Sequence, residues 1–128
     1  MKQLLFFIIA GMLFGCSKEV KKSDLADVAG DYHWFYSHDN YVESIYPSST
    51  SDKYGIRIKS RNKVVFYTNS EKEMSLKINS VYETENGGKA IIVQWTDILE
   101  RGIIIEGSTL TFYDWPTETY YNNFSKSN

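Results

Sequence analysis

Cysteine, proline and histidine are scarce in this chain. Its 128 residues include one cysteine, two prolines and two histidines. A single cysteine cannot form a disulfide within the chain, so the fold has to be held together by its core. Basic residues are not in excess either, because 14 lysines and arginines stand against 16 acidic residues. This balance argues against a nucleic-acid partner.

The motifs of common catalytic and phosphate-binding sites are also missing. The chain has no Gly-x-Ser-x-Gly elbow, no His-Glu-x-x-His zinc motif and no glycine-rich phosphate loop. His33, His38, Asp39 and Glu43 form the only cluster with metal-ligand chemistry, and their spacing matches no short-range ligand motif. We therefore expect no enzyme activity, no metal and no other cofactor.

The one long apolar run lies at the N-terminus, from Leu4 to Phe14. With Lys2 before it and Gly15 after it, the run has the pattern of a secretory signal, and it is too short to span a bilayer. The residues Leu-Phe-Gly-Cys that end at Cys16 resemble the lipobox of bacterial lipoproteins, in which the cysteine is acylated. We predict that Cys16 is lipidated and anchors the protein to a membrane. The alternative is a free or buried thiol behind an ordinary signal peptide.

This prediction divides the chain into three parts. A signal peptide would cover residues 1–15, a short polar tether residues 16–23, and a single domain residues 24–128. The lipoprotein resemblance also bears on location, because Ser17 after the cysteine favours the outer membrane. We expect the periplasmic face of that membrane, with the cell surface as the alternative.

Beyond Gly30 the sequence has the pattern of short strands. Tyr, Val, Ile, Thr, Phe and Trp dominate, and turn residues recur about every ten residues. Before the first strand, Asp24 is expected to cap a helical turn over residues 25–29. The predicted strands cover residues 31–37, 54–60, 63–68, 74–83, 89–95, 102–106, 109–114 and 118–124.

Eight consecutive strands joined mostly by short turns close most simply into a barrel, because closure removes the exposed edges of the sheet. We therefore predict an all-β fold, an eight-stranded antiparallel up-and-down barrel, preceded by a cleaved signal helix and one short helical turn. The interior of such a barrel has room for side chains or for one small ligand.

Three segments match a known pattern: DVAGDYHWFY near the start, Asn86-Gly87-Gly88 in the middle and GSTLTFYDWPTETYYNNF at the end. Together they resemble the lipocalin-like lipoprotein domains of Bacteroidetes and related bacteria. Tyr32 stands where that pattern has a tryptophan, and Trp34 follows two residues later. The resemblance implies a lipocalin-like barrel in which Tyr32 points into the interior.

Aromatic residues make up 16% of the chain, which is high for one small domain. If Tyr32 points inward, strand alternation places Trp34 and Tyr36 inside as well, and Trp95 and Phe112 belong to other core-facing rows. These five residues are the candidate ligand-binding residues, because a ring-lined barrel suits a small apolar or aromatic molecule. The alternative is that the rings simply fill the barrel.

The longest connection, residues 37–53, carries Tyr41, Ile45 and Tyr46 without a strong periodicity. In lipocalin-like folds the loop after the first strand lies at the barrel mouth, so these residues are a candidate partner-binding loop. The expected function is that of a membrane-anchored lipocalin-like lipoprotein that binds a small apolar or aromatic ligand. The alternative is a non-enzymatic envelope interaction module or inhibitor with a filled barrel.

Overall fold

In the computed structural model of the chain, the described residues are 20–40, 44–47 and 50–127. Within these ranges the chain forms one short helix, α1 (Lys22–Leu25), and nine strands. The strands are β1 (Gly30–His38), β2 (Ser44–Ile45), β3 (Tyr54–Lys59), β4 (Lys63–Thr68), β5 (Glu71–Glu83), β6 (Lys89–Gln94), β7 (Glu100–Glu106), β8 (Thr109–Tyr113) and β9 (Tyr121–Lys126).

The strands form one antiparallel sheet that closes on itself. From β3 to β9 each strand pairs with the next, and β1 pairs with both β3 and β9. The two-residue β2 adds to the end of β1, where Ile45 lies opposite Ser37. The result is a closed antiparallel barrel of eight strands with β2 as an addition, which confirms the predicted fold class.

Two strands begin three residues away from the predicted position, whereas the other predicted strands begin within two residues of it. β5 begins at Glu71 rather than Met74, because Asn69 and Ser70 have φ angles of 53° and 68° and make a tight two-residue hairpin turn. β9 begins at Tyr121 rather than at residue 118, because the chain after β8 first makes a loop.

The helical turn closes one end of the barrel, which we call the helix end. α1 lies earlier than predicted, and Asp24 caps it from within its first turn by accepting a hydrogen bond from the Lys21 backbone N–H at 2.8 Å. Leu25 and Val28 are buried in the core, and the Tyr32 hydroxyl donates a hydrogen bond to the Val28 carbonyl at 2.7 Å. The opposite end, where β1 finishes and β9 starts, is called the loop end.

Alternate residues of the strands face the interior. In β3, for example, Ile56 and Ile58 are buried while Arg57 is exposed. Rings from opposite walls meet inside the barrel, since the centroids of Phe66 in β4 and Phe112 in β8 lie 5.5 Å apart. The buried core consists of Leu25, Val28, Tyr32, Trp34, Ile56, Ile58, Val64, Phe66, Ile78, Ile91, Val93, Ile103, Ile105, Leu110, Phe112 and Phe124.

Candidate functional site

The structure places all but one of the predicted ligand-binding residues in or against the barrel core. Tyr32, Trp34 and Phe112 are buried members of the core. Trp95 is partly buried and packs against Phe112, with ring centroids 5.4 Å apart. The inward orientation of these four side chains is therefore as predicted.

The prediction that Tyr36 faces the interior is wrong. In the pairing of β1 with β9, Trp34 lies opposite Phe124 but Tyr36 lies opposite Asn123, so the register shifts between them. This β-bulge inserts an extra residue, and Ser37 rather than Tyr36 takes the next inward position, where it is fully buried. Tyr36 lies on the outer surface of the barrel.

A buried polar network at the loop end accompanies the inward position of Ser37. The Trp34 Nε1–H donates to Ser37 Oγ at 2.8 Å, and the Ser37 hydroxyl donates to Asn122 Oδ1. The Asn122 side-chain amide also lies 3.2 Å from the Thr117 carbonyl and 3.0 Å from the Tyr120 carbonyl. Asn122 thus ties the barrel wall to the β8–β9 loop.

That loop places Trp115 against the core at the loop end. The Trp115 ring centroid lies 4.9 Å from that of Phe66, 5.6 Å from Tyr54 and 6.2 Å from Phe124. This residue was not predicted from the sequence. Trp115 directly follows the predicted strand 109–114 and precedes a proline, a pattern that is typical of a turn. A tryptophan just outside a strand is the signal that could have identified it.

The interior side chains leave little room for a ligand beside them. A cavity that held a ligand would expose the side chains lining it, yet Tyr32 and Phe112 are each 1% exposed and Phe66 is 0% exposed. This packing agrees with the alternative in which the rings fill the barrel. A small ligand inside the barrel stays a prediction.

A row of aromatic rings crosses the outer surface near the loop end, from β8 over β9 and β1 to the residue after β2. Neighbouring ring centroids are 4.9 Å apart for Tyr113 and Tyr121, 5.4 Å for Tyr121 and His38, 5.6 Å for His38 and Tyr36, and 6.0 Å for Tyr36 and Tyr46. We call these five residues the outer aromatic row. His38 is thus a member of a ring stack.

The predicted partner-binding loop contributes to this row in part. Tyr46 is 54% exposed at one end of the row. Ile45 lies in β2 and packs partly buried against the core. Tyr41 lies outside the described residues, as does the predicted lipidation site Cys16.

Two grooves on the outer surface each lie over a strand glycine. The Gly55 groove has a volume of about 260 Å³ and is lined by Asp31, Lys53, Arg57 and Tyr67, among others. The Gly102 groove has a similar volume, about 260 Å³, and is lined by Arg101, Ile104, Glu106, Thr111, Tyr113 and Tyr121, among others. A glycine inside a strand often marks a place where a ligand or another backbone approaches closely.

The two grooves differ in charge. In the Gly55 groove, Arg57 donates hydrogen bonds to Asp31 and lies 5.2 Å over the Tyr67 ring. The hydrogen bond to Asp31, together with its charge, raises the pKa of Arg57. The Gly102 groove is bordered by β8 and β9, whose outward-facing side chains are all uncharged. These side chains are Thr109, Thr111, Tyr113, Tyr121, Asn123 and Ser125.

Comparisons of the chain with protein-family models, with curated proteins and with solved structures find no match. Among the described residues, no helix is long and apolar enough to cross a membrane. Nor do the described His, Cys, Asp and Glu residues include a group of three or more that could hold a metal ion.

Proposed function

We propose that this protein is a non-enzymatic binding module of the bacterial envelope, anchored by a lipid on Cys16. It binds its partner with the outer surface of the barrel and not with the interior. The observation that carries this proposal is the contrast between the two faces. Interior rings such as Phe66 and Phe112 are buried, whereas the outer aromatic row includes rings that reach solvent.

Exposed aromatic rings support a binding role for the outer face. Tyr46 is 54% exposed, and Phe35, which strand alternation places outside after the inward Trp34, is 38% exposed. Large rings are enriched at protein surfaces that bind partners, because they bury much apolar area and lose little conformational freedom. Tyrosine adds a hydroxyl that can form a hydrogen bond at the edge of the contact.

The described chain enters the barrel at the end opposite to the outer aromatic row. The described chain enters at the helix end through α1, and β1 then runs from Gly30 at that end to His38 at the loop end. A lipid on Cys16, only a short tether before α1, would therefore hold the helix end near the membrane. The row would face away from the bilayer, where an envelope partner can reach it.

A first experiment tests the anchor. The full chain is expressed with its own signal in a Gram-negative host, and the membrane fraction is analysed by intact-mass spectrometry. We expect a chain that begins at Cys16 and carries two or three acyl groups, as stable anchoring requires more than one. The control variant Cys16→Ser should be absent from the membrane fraction. An unacylated wild-type chain would contradict the anchor.

A second experiment tests the binding face. A photoreactive benzoylphenylalanine replaces Tyr46 in the outer aromatic row or, as the control, Glu85 in the exposed β5–β6 turn near the helix end. We expect light-dependent cross-links to an envelope component from position 46 and none from position 85. Equal cross-linking at both positions, or none at either, would refute a role for the row.

A small apolar ligand at the loop end is the second candidate function. The partial burial of Trp95 and Trp115 favours it, since both rings lie where a ligand would enter. Two measurements distinguish this candidate function from binding at the outer surface. They are native mass spectrometry of the purified full chain and titration with the apolar dye N-phenyl-1-naphthylamine. A co-purifying apolar molecule whose binding is lost in Trp95→Ala and kept in Tyr46→Ser would replace the outer-surface proposal.

A further inference from the structure

We infer that the Gly102 groove, with the Tyr113 and Tyr121 end of the outer aromatic row, binds one sugar ring of an uncharged glycan. The inference rests on the proposed use of the outer surface and names the ligand class for it. Three properties of the groove carry it: its glycine floor, its size and the uncharged side chains that β8 and β9 present along it.

The glycine floor is not required by the strand itself. Gly102 lies inside the regular ladder of β7, opposite Ile92 of β6. A glycine at such a position weakens the strand, because it adds backbone freedom to the unfolded chain and packs no side chain. It lines the groove together with Ile104 and the tyrosines of β8 and β9.

The size of the groove suits a single ring. Its volume of about 260 Å³ lies just below the roughly 300–1,000 Å³ typical of pockets for drug-sized ligands. Tyr113 and Tyr121 stand together at one side of it, with ring centroids 4.9 Å apart. Aromatic faces can stack on the apolar C–H face of a sugar ring, so the row offers further stacking positions for neighbouring units of a chain.

The chemistry of the surrounding face fits hydroxyl groups. Hydroxyl and amide side chains such as Thr111, Tyr121 and Asn123 both donate and accept hydrogen bonds, as sugar hydroxyls do. Two charged side chains, Arg101 and Glu106, line the groove. They are the first and the last of the β7 residues in its lining. Arg101 is paired with Asp114 at 3.3 Å, so its positive charge is balanced within the protein.

The Gly55 groove provides a matched control on the same barrel. It has the same volume, a strand glycine and a tyrosine, Tyr67, but it is lined by the charges of Asp31, Lys53 and Arg57. A side chain at position 55 is sterically acceptable, since a Cβ there would lie 3.5 Å from its nearest neighbour, the Tyr32 carbonyl. The same substitution can therefore be compared in both grooves.

Affinity gel electrophoresis of the full chain tests the inference. The gels contain dextran, a mixed-linkage β-glucan or a galactomannan, with polygalacturonate as the acidic comparison. We expect at least one neutral polysaccharide to retard the wild type. Gly102→Val should weaken this binding about tenfold or more, while Gly55→Val should leave it within about twofold. If Gly102→Val fails to fold, the same comparison is made with Tyr121→Ala in the Gly102 groove and Tyr67→Ala in the Gly55 groove.

Several results would overturn the inference. They are the absence of retardation by any neutral polysaccharide, retardation by polygalacturonate alone, and equal losses in the two grooves. Self-association of the chain that Tyr121→Ala abolishes would overturn it too, by assigning the surface to a second copy. If position 46 still cross-links to an envelope protein, the proposed function survives and only the glycan is wrong. If neither binding nor cross-linking is seen, both fail.

Discussion

The buried hydroxyl of Tyr32 makes a stability prediction that can be worked out in detail. Tyr32 is 1% exposed, and its hydroxyl donates a hydrogen bond to the Val28 carbonyl at 2.7 Å. Tyr32→Phe removes that donor and leaves the carbonyl without this partner inside the barrel. At neutral pH we expect the free energy of unfolding to fall by about 1 kcal/mol.

The same hydroxyl makes the protein sensitive to alkali. Burial, with a smaller contribution from the charge of Asp27, raises the pKa of Tyr32 to about 12 from its ordinary value of 10.0. Below pH 10 the phenol is protonated in both the folded and the unfolded chain, and its contribution to stability is fully present. Between about pH 10 and 12 the unfolded chain loses the proton first, so roughly 2 to 3 kcal/mol of stability is lost.

Phenylalanine at position 32 has no ionisable hydroxyl, so the stability of Tyr32→Phe does not fall for this reason as the pH rises. Urea unfolding followed by tryptophan fluorescence, from about pH 8 to pH 11.5, should therefore show the two stability curves crossing near pH 11. Tyr36→Phe on the outer surface is the control and should run parallel to the wild type. A constant difference between wild type and Tyr32→Phe over the whole range would refute the buried, hydrogen-bonded state of this hydroxyl.

Three further predictions concern the stability of the barrel. Asn122→Leu should lower the free energy of unfolding by about 2 to 4 kcal/mol and shift the Trp115 emission to the red, because the carbonyls of the β8–β9 loop lose their shared donor; an unshifted spectrum would contradict this. Thr68→Val should leave the stability unchanged or raise it by up to about 1 kcal/mol, because Thr68 Oγ1 is buried without a hydrogen-bond partner. The reverse change Val64→Thr should lower the stability by about 1 to 3 kcal/mol, because it buries a hydroxyl in the core. Thermal unfolding compares the two variants. Gly30 has a φ angle of 140°, so Gly30→Ala should destabilise the protein by about 1 to 3 kcal/mol. Gly55→Ala should not destabilise it. Equal melting temperatures of the two variants would argue against backbone strain at Gly30.

Most of the barrel could be predicted from the sequence because its signals are local. The strand predicted over residues 63–68 is β4 residue for residue, since an apolar run there is bounded by turn residues on both sides. Once the resemblance placed Tyr32 in the interior, alternation assigned Trp34 to it as well, and Phe112 to another core-facing row. These features depend only on neighbours in the chain.

The outer surface could not be predicted because it depends on residues distant in sequence. Strict alternation places Tyr36 inside, and nothing in the local composition signals the bulge that turns it outward. The inward position of Ser37 is completed by a hydrogen bond to Asn122, 85 residues away. The outer aromatic row collects rings from several strands, so only the closed barrel brings them together. Of the predicted loop, residues 37–53, both His38 and Tyr46 belong to this row.

The pairing of β1 with β9 joins the first and last strands of the domain. Until β9 is present, β1 and β8 would both be open edges, and the rings of Trp34 and Phe112 would face solvent. The order of synthesis therefore delays closure to the last residues, and contacts of such long range fold slowly. A truncation before Tyr121 would therefore produce an aggregating sheet instead of a smaller barrel.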